Sequence, residues 1–193
     1  MSPISVDVGR SSMHRGFTAR RVSRPYSRIA RHQAINDVIT RAITAAGVPV
    51  TKEPVGLARL DCKRPGGLTL IPRQGGKPLT WDVTVVSTLA DSYLHSTSHS
   101  AGSAAETAPI RKESKYSSLP PEYLFQPVAI ETIGPLNASA LNFLSEVGRR
   151  LTSLSGDSRE TSFLFQRLSV LIQRFNSALI MDSFCFSDED PDL

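Results

Sequence analysis

Leu79-Thr80-Trp81-Asp82-Val83-Thr84-Val85-Val86 is the stretch from which the rest of this 193-residue chain is read. β-Branched and aromatic residues fill it, and they alternate. Leu79, Trp81, Val83 and Val85 share one face, while Thr80, Asp82, Thr84 and Val86 share the other. Strand side chains alternate with a period of two, so this is a strand with one apolar face and one partly polar face. An aspartate in the middle of the second face is the unusual feature.

Outward from this strand, helical and extended segments follow one another. Ile35, Val38, Ile39, Ala42, Ile43 and Ala46 recur at the spacing of one helix face, which predicts a helix over Ser27–Ala46. Gly47 supplies its stop and Pro49 prevents continuation. Val48–Val55 is short, β-prone and broken by Pro54. Residues 56–67 read as a loop with a turn at Pro65-Gly66-Gly67. Leu68–Ile71 is a strand, joined to the Trp81 strand by a glycine-rich connection over Arg73–Pro78. Residues 87–100 are rich in Ser, Thr and His and read as irregular. An alanine-rich helix is expected from near Ala101 to Tyr116, kinked or interrupted at Pro109. Phe125–Ile133 is a further strand, and Gly134-Pro135 turns the chain into a helix over Ala138–Leu151. Asp157 and Glu160 have capping-box spacing before a last helix, whose stripe is Leu164, Leu168, Leu171, Phe175 and Leu179. The order α-β-β-β-α-β-α-α suits an α/β or α+β domain, a mixed sheet flanked by helices.

Composition bounds the class. The chain is 40% hydrophobic and 21% charged, enough apolar surface for one core. No apolar run approaches the roughly 18 residues that span a bilayer, which excludes a membrane protein. Cys62 and Cys185 form no metal-type pair, which excludes a zinc ribbon or disulfide scaffold and fits a reducing, intracellular setting. The formal net charge of +4 conceals an asymmetry. Residues 1–32 carry Arg10, Arg15, Arg20, Arg21, Arg24, Arg28 and Arg31 against Asp7 alone. Asp182, Asp188, Glu189, Asp190 and Asp192 crowd the last twelve residues without a base. The division expected is a basic disordered arm over 1–27, a domain over 28–181 and an acidic disordered tail over 182–193. A basic arm attracts polyanions by releasing their condensed counterions, so Arg20, Arg21, Arg24, Arg28 and Arg31 are candidate nucleic-acid contacts.

Several chemistries are absent from the pattern. Gly66-Gly67 and Gly75-Gly76 lack the spacing of a phosphate-cradling loop, and no nucleophile elbow occurs. His95 and His99 stand four apart, but in a segment read as non-helical, so they form no expected metal pair. Carboxylates remain: Glu53 near the end of the first strand, Asp61 in a loop, Asp82 on a polar strand face and Glu131 on the last strand. Hydrolysing a phosphodiester with Mg²⁺ needs hard oxygen ligands, with a lysine to orient water or stabilise developing charge. Glu53, Asp82, Lys112 and Lys115 could serve if the sheet brings them together.

An ordered set of residues carries a resemblance. Arg31-His32, Lys52-Glu53-Pro54, Lys63-Arg64-Pro65-Gly66-Gly67, Trp81-Asp82-Val83-Thr84-Val85, and Arg111-Lys112 through Lys115-Tyr116 follow in sequence. This series resembles the C-terminal, restriction-endonuclease-like region of reverse transcriptases from non-long-terminal-repeat (non-LTR) retrotransposons. That nuclease is of the PD-(D/E)XK class, with an α-β-β-β-α-β core, here followed by two C-terminal helices. The similarity covers residues 28–180. It implies a Mg²⁺-dependent DNA endonuclease with DNA or RNA as its partner, intracellular and nuclear, with Glu53 and Asp82 as catalytic metal ligands. It also implies Lys115 and Tyr116 as the helix segment supplying a displaced catalytic lysine, since Thr84 stands where many such nucleases keep one.

The departure is at Gly66, which replaces the aspartate of the family's Arg-Pro-Asp turn. Glycine offers no ligand, and losing one central carboxylate costs on the order of several kcal/mol of metal binding or transition-state stabilisation. The expected function is therefore a degenerate endonuclease-like domain impaired in nicking, in which Gly66→Asp restores cleavage in part. The alternatives are an active endonuclease, a non-catalytic nucleic-acid-binding remnant, or a helical interaction module built on residues 157–181.

Overall fold

The computed structural model describes residues 24–57, 64–73 and 75–184. Among these, five α-helices and a four-stranded mixed sheet form an α+β arrangement. Helix α1 (Arg24–Ala45) precedes β1 (Val50–Lys52), β2 (Gly67–Thr69) and β3 (Leu79–Val86). Helices α2 (Asp91–His99) and α3 (Ser103–Lys115) lead to β4 (Leu124–Glu131), and α4 (Ala138–Ser155) and α5 (Glu160–Phe184) follow. A short 3₁₀ turn covers Val55–Leu57. The strands lie in the order β1-β2-β3-β4. The first three pair antiparallel, while β4 runs parallel to β3 from Leu79↔Leu124 to Val86↔Glu131. A parallel neighbour requires a crossover, and α2 with α3 supplies it.

The alternation read in β3 is what divides the layers. Leu79, Trp81, Val83 and Val85 pack with Val128 and Ile130 against α1, α4 and α5, in a core that includes Ile35, Ile39, Ile43, Phe143 and Leu144. On the opposite face Val86 and Ala129 meet Ala104, Ala105 and Ala108 of α3. Alanines there let the helix sit close to the sheet. Leu164 and Leu168 of the expected α5 stripe are buried in the main core and Leu171 packs against it, so the first half of the stripe is packing surface, while Phe175 and Leu179 are half-buried.

Strand β4 is an edge strand, which is where Pro127 is tolerated because no further strand needs its missing N–H. Its outer side is covered by residues 135–137. Asn137 Oδ1 accepts from Ala129 N (2.9 Å), Asn137 N donates to Ala129 O (3.0 Å), and Glu131 N donates to Pro135 O (3.1 Å).

Two expectations are corrected. The Ser/Thr/His-rich stretch 87–100 contains α2, although none of that helix's residues is buried. Its hydroxyls bond locally, Thr97 Oγ1 donating to Thr88 O and Tyr93 O. Helix α3 also runs unbroken through Pro109, which is itself buried. Strand bounds are shorter than expected before β3: only three residues pair in β1 and in β2. The basic arm with Arg20 and Arg21, the side chain of Arg24, Asp61, Cys62 and the acidic tail with Cys185 lie outside the described residues.

Candidate functional site

Asp82 is 5% exposed, and its carboxylate is the centre of a polar cluster between α1 and α3. Lys112 Nζ donates to Oδ2 at 2.5 Å and Tyr116 Oη donates to the same oxygen at 3.0 Å. Lys112 and Tyr116 are four residues apart, so one face of α3 presents both. From α1, His32 Nε2 stands 3.6 Å from Oδ1 and 3.0 Å from the Val83 carbonyl. That carbonyl is on the β2 side of β3, where β2 pairs only with Thr80 and Trp81. His32 therefore closes a strand edge that no neighbour covers, and the Val83 acceptor requires the proton on Nε2. The Tyr116 ring packs against Phe125 at 4.4 Å between centroids.

Burial pushes the Asp82 carboxyl up, but the proximity of His32 and the charge and hydrogen bond of Lys112 outweigh it. The net direction is down. A depressed folded-state pKa contributes stability that is present above the unfolded value, about 3.9, and lost as pH falls through the folded value. Asp82→Asn is expected to flatten this acid limb of the stability–pH curve. Asp82→Ala is expected to cost about 2–3 kcal/mol at neutral pH, because Lys112 and Tyr116 lose their acceptor. Urea melts at pH 7 and pH 3 check both. An unchanged difference between the two pH values in Asp82→Asn would show that the cluster contributes nothing.

The residues expected around Asp82 divide into two groups. The backbones of Glu53, Gly66 and Asp82 do fall in one row: Lys52 pairs with Gly67 and Gly67 with Trp81, and Glu53 N donates to Gly66 O at 3.3 Å. Their side-chain directions diverge. Glu53 has φ +46°, leaves the strand there and is exposed. A Cβ placed on Gly66 would point at α1, 2.7 Å from Asn36 Oδ1. Lys115 is exposed, and Lys112 takes the place beside Asp82 that was expected for it. Tyr116 is brought in as expected.

A divalent cation here would need several oxygen ligands, with carboxylates to balance its charge. The donor set does not fit. Asp82 is one carboxylate already neutralised by Lys112, Gly66 adds nothing, and Glu53 is turned out. Among the described residues no group of three or more His, Cys, Asp and Glu side chains gathers at metal-holding distance. His95 and His99 do stack on α2, 4.9 Å between centroids, without a third ligand.

Next to the cluster a cleft of about 920 Å³ opens between α1, the uncovered half of β3 and the C-terminal half of α5. Arg28, Arg31, His32 and Lys112 line it, and none of its lining residues is acidic. The sequence patterns named Lys112 beside Lys115, and Arg31-His32 as a pair, without showing which lysine would reach Asp82. The useful signal was helical spacing: Lys112 with Tyr116, and Arg28 and Arg31-His32 on successive turns of α1. Compared with protein-family models and with curated proteins, the chain matches neither.

Proposed function

We propose that this chain is a degenerate endonuclease-like domain, of the kind at the C-terminal end of non-LTR retrotransposon reverse transcriptases, that binds DNA or RNA without cutting it. Support for the ancestry comes from the order helix, three strands, helices, strand, together with the backbone row formed by Glu53 just past β1, Gly66 just before β2 and Asp82 within β3. Such a partner implies action inside the cell and, for DNA, in the nucleus. The observation that carries the loss of cleavage is the state of Asp82: a single carboxylate whose charge is met by Lys112 at 2.5 Å. With Mg²⁺ the ancestral reaction needs a second acidic ligand, and Gly66 and the exposed Glu53 do not provide one.

Plasmid nicking in Mg²⁺ or Mn²⁺ tests this. No cleavage above buffer is expected from the unmodified chain. Robust nicking that Asp82→Ala abolishes would overturn the proposal.

Gly66→Asp, the simplest repair of the motif, is expected to fail for a reason visible in the packing. Asn36 is 3% exposed, donates through Nδ2 to Gly66 O (2.8 Å), and accepts from Trp81 Nε1 (2.8 Å). A side chain at residue 66 displaces the amide that makes both bonds. The expected cost is about 2–4 kcal/mol with no gain of nicking. A Gly66→Asp variant that melts with the parent and cuts DNA would show that the turn can re-aim the new carboxylate toward Asp82.

A further inference from the structure

Arg31 sits on α1 at the floor of the cleft, 7% exposed, and its Nε has no hydrogen-bond partner. Among the described residues its side-chain hydrogen bond runs from Nη1 to Asn176 Oδ1 at 3.4 Å, which is long. No carboxylate among the described residues pairs with it. Buried guanidinium groups are ordinarily paired, because stripping a cation of water without an opposite charge is costly. Among the described residues the charge that acts on it is that of another cation, Arg28. Burial and then the charge of Arg28 both lower the Arg31 pKa, so the folded protein holds the proton against an unfavourable field.

The surroundings say what kind of anion would fit. Arg28 and His32 stand on the same wall, while Leu89, Ile133, Leu179 and Ile180 supply apolar surface. Leu89 and Ile133 are 66% and 62% exposed, large side chains with little covering them. An inorganic anion would use the cations and leave this apolar surface wet. A phosphate joined to a flat, largely apolar body would use both, and guanidinium groups match phosphate geometry. At about 920 Å³ the cleft has the size of a small-ligand site and is too small for a duplex.

We propose that this cleft binds one nucleoside monophosphate unit, its phosphate held by Arg31 with Arg28 and His32 and its base against Leu89, Ile133 and Leu179. The inference refines the nucleic-acid-binding reading by giving it a site and a ligand size. It needs neither cleavage nor a metal. The unit can come from a free mononucleotide or from the 5′-phosphorylated end of a single strand.

The test uses the full chain in EDTA at constant ionic strength, so that it can fail independently of the nicking assay. Thermal melts are followed with deoxyadenosine monophosphate, deoxyadenosine, inorganic phosphate, and a short single strand with and without a 5′-phosphate. The monophosphate is expected to raise the midpoint by at least about 3 °C at saturation, deoxyadenosine not at all, and phosphate by less than the monophosphate. A gain on 5′-phosphorylation of the strand identifies a strand end as the source. Equal effects of the two strands, with binding of the free monophosphate retained, identify the mononucleotide.

Arg31→Met is expected to raise the ligand-free midpoint by about 3–6 °C, since it removes the unpaired charge, and to weaken monophosphate binding at least tenfold. Leu89→Glu, at an exposed rim position, is expected to fold normally and to weaken binding by a similar factor. A lower midpoint in Arg31→Met with binding retained in Leu89→Glu would overturn the proposal. So would a parent protein that responds to the monophosphate no more than to sodium chloride.

Discussion

Gly67→Ala is expected to lower the thermal midpoint by about 8–16 °C or to abolish the cooperative transition, although it adds a single methyl group. Gly67 begins β2 and pairs with Trp81 of β3. A Cβ on it would stand 2.2 Å from Trp81 Cζ2, 2.3 Å from Cη2 and 2.8 Å from Cε2. The indole cannot step aside. It is fully buried, and its Nε1 is bonded to Asn36 Oδ1, which also ties α1 to the sheet through Gly66 O. Overpacking a rigid core usually costs about 1–3 kcal/mol and occasionally more. Contacts this short against a locked ring place Gly67→Ala at about 4 kcal/mol. Gly56→Ala is the control, because nothing lies within 4 Å of a Cβ there. A Trp81→Phe background should recover part of the loss, and the double-mutant cycle measures the coupling. If Gly67→Ala melts within 2 °C of the parent, the close approach of β2 to Trp81 is wrong.

Gly67 also shows where reading the sequence stops. Two adjacent glycines after a proline signal a turn, and the pattern offers nothing to distinguish a turn from a strand that must pass under a tryptophan. That distinction is tertiary, set by Trp81, which lies fourteen residues downstream. Strand β3 was legible because apolar and polar residues alternate along it from Leu79 to Thr84, although helices bury both of its faces. Helix α1 was legible for a similar reason, its stripe Ile35, Ile39, Ala42, Ile43 and Ala46 being buried. Helix α2 was not legible, since it buries no residue and so has no apolar period to find. Pro109 misled in the opposite direction. Removing one backbone donor does not break α3, whose alanines hold it to the sheet before the proline while Lys112 and Tyr116 bond Asp82 after it.

The candidate site was half legible. Asp82 stood out as an acid on a strand, and Tyr116 followed from the resemblance. Lys115 was displaced by Lys112 because helix geometry, rather than order in a motif, decides which lysine joins Tyr116 on one face. Arg31 was visible as one of five candidate nucleic-acid contacts and beside His32 in the resemblance, but not as a buried cation. Its burial with no described acid beside it, the property that makes it informative, depends on α5 packing over it with Asn176.

Glu131 was one of four candidate catalytic acids, and the structure gives it a different task. It is 1% exposed at the end of β4. Oε1 accepts from the backbone N–H groups of Ala104 (2.9 Å) and Ala105 (3.2 Å), and Oε2 from Thr88 Oγ1 (3.3 Å). Those two N–H groups are in the first turn of α3, where a helix leaves donors unsatisfied and its dipole favours an acceptor. The cap of α3 offers no alternative, because Gly102 at the N-cap has no side chain to accept. Glu131→Ala therefore orphans two buried donors and opens a cavity at the joint between sheet and helix. The expected loss is about 3–5 kcal/mol, while Glu131→Gln, which keeps one acceptor oxygen, loses about 1–2 kcal/mol. The effect should also travel along α3. Hydrogen exchange is expected to speed up first at Ala104–Ala108 and then at Lys112 and Tyr116, loosening their hold on Asp82. Exchange that rises evenly over the whole protein would mean that Glu131 supports global stability without holding α3 in place. An acid chosen for capping has its oxygens committed to backbone donors, which is why Glu131, though buried beside the right strand, cannot replace the carboxylate missing at Gly66.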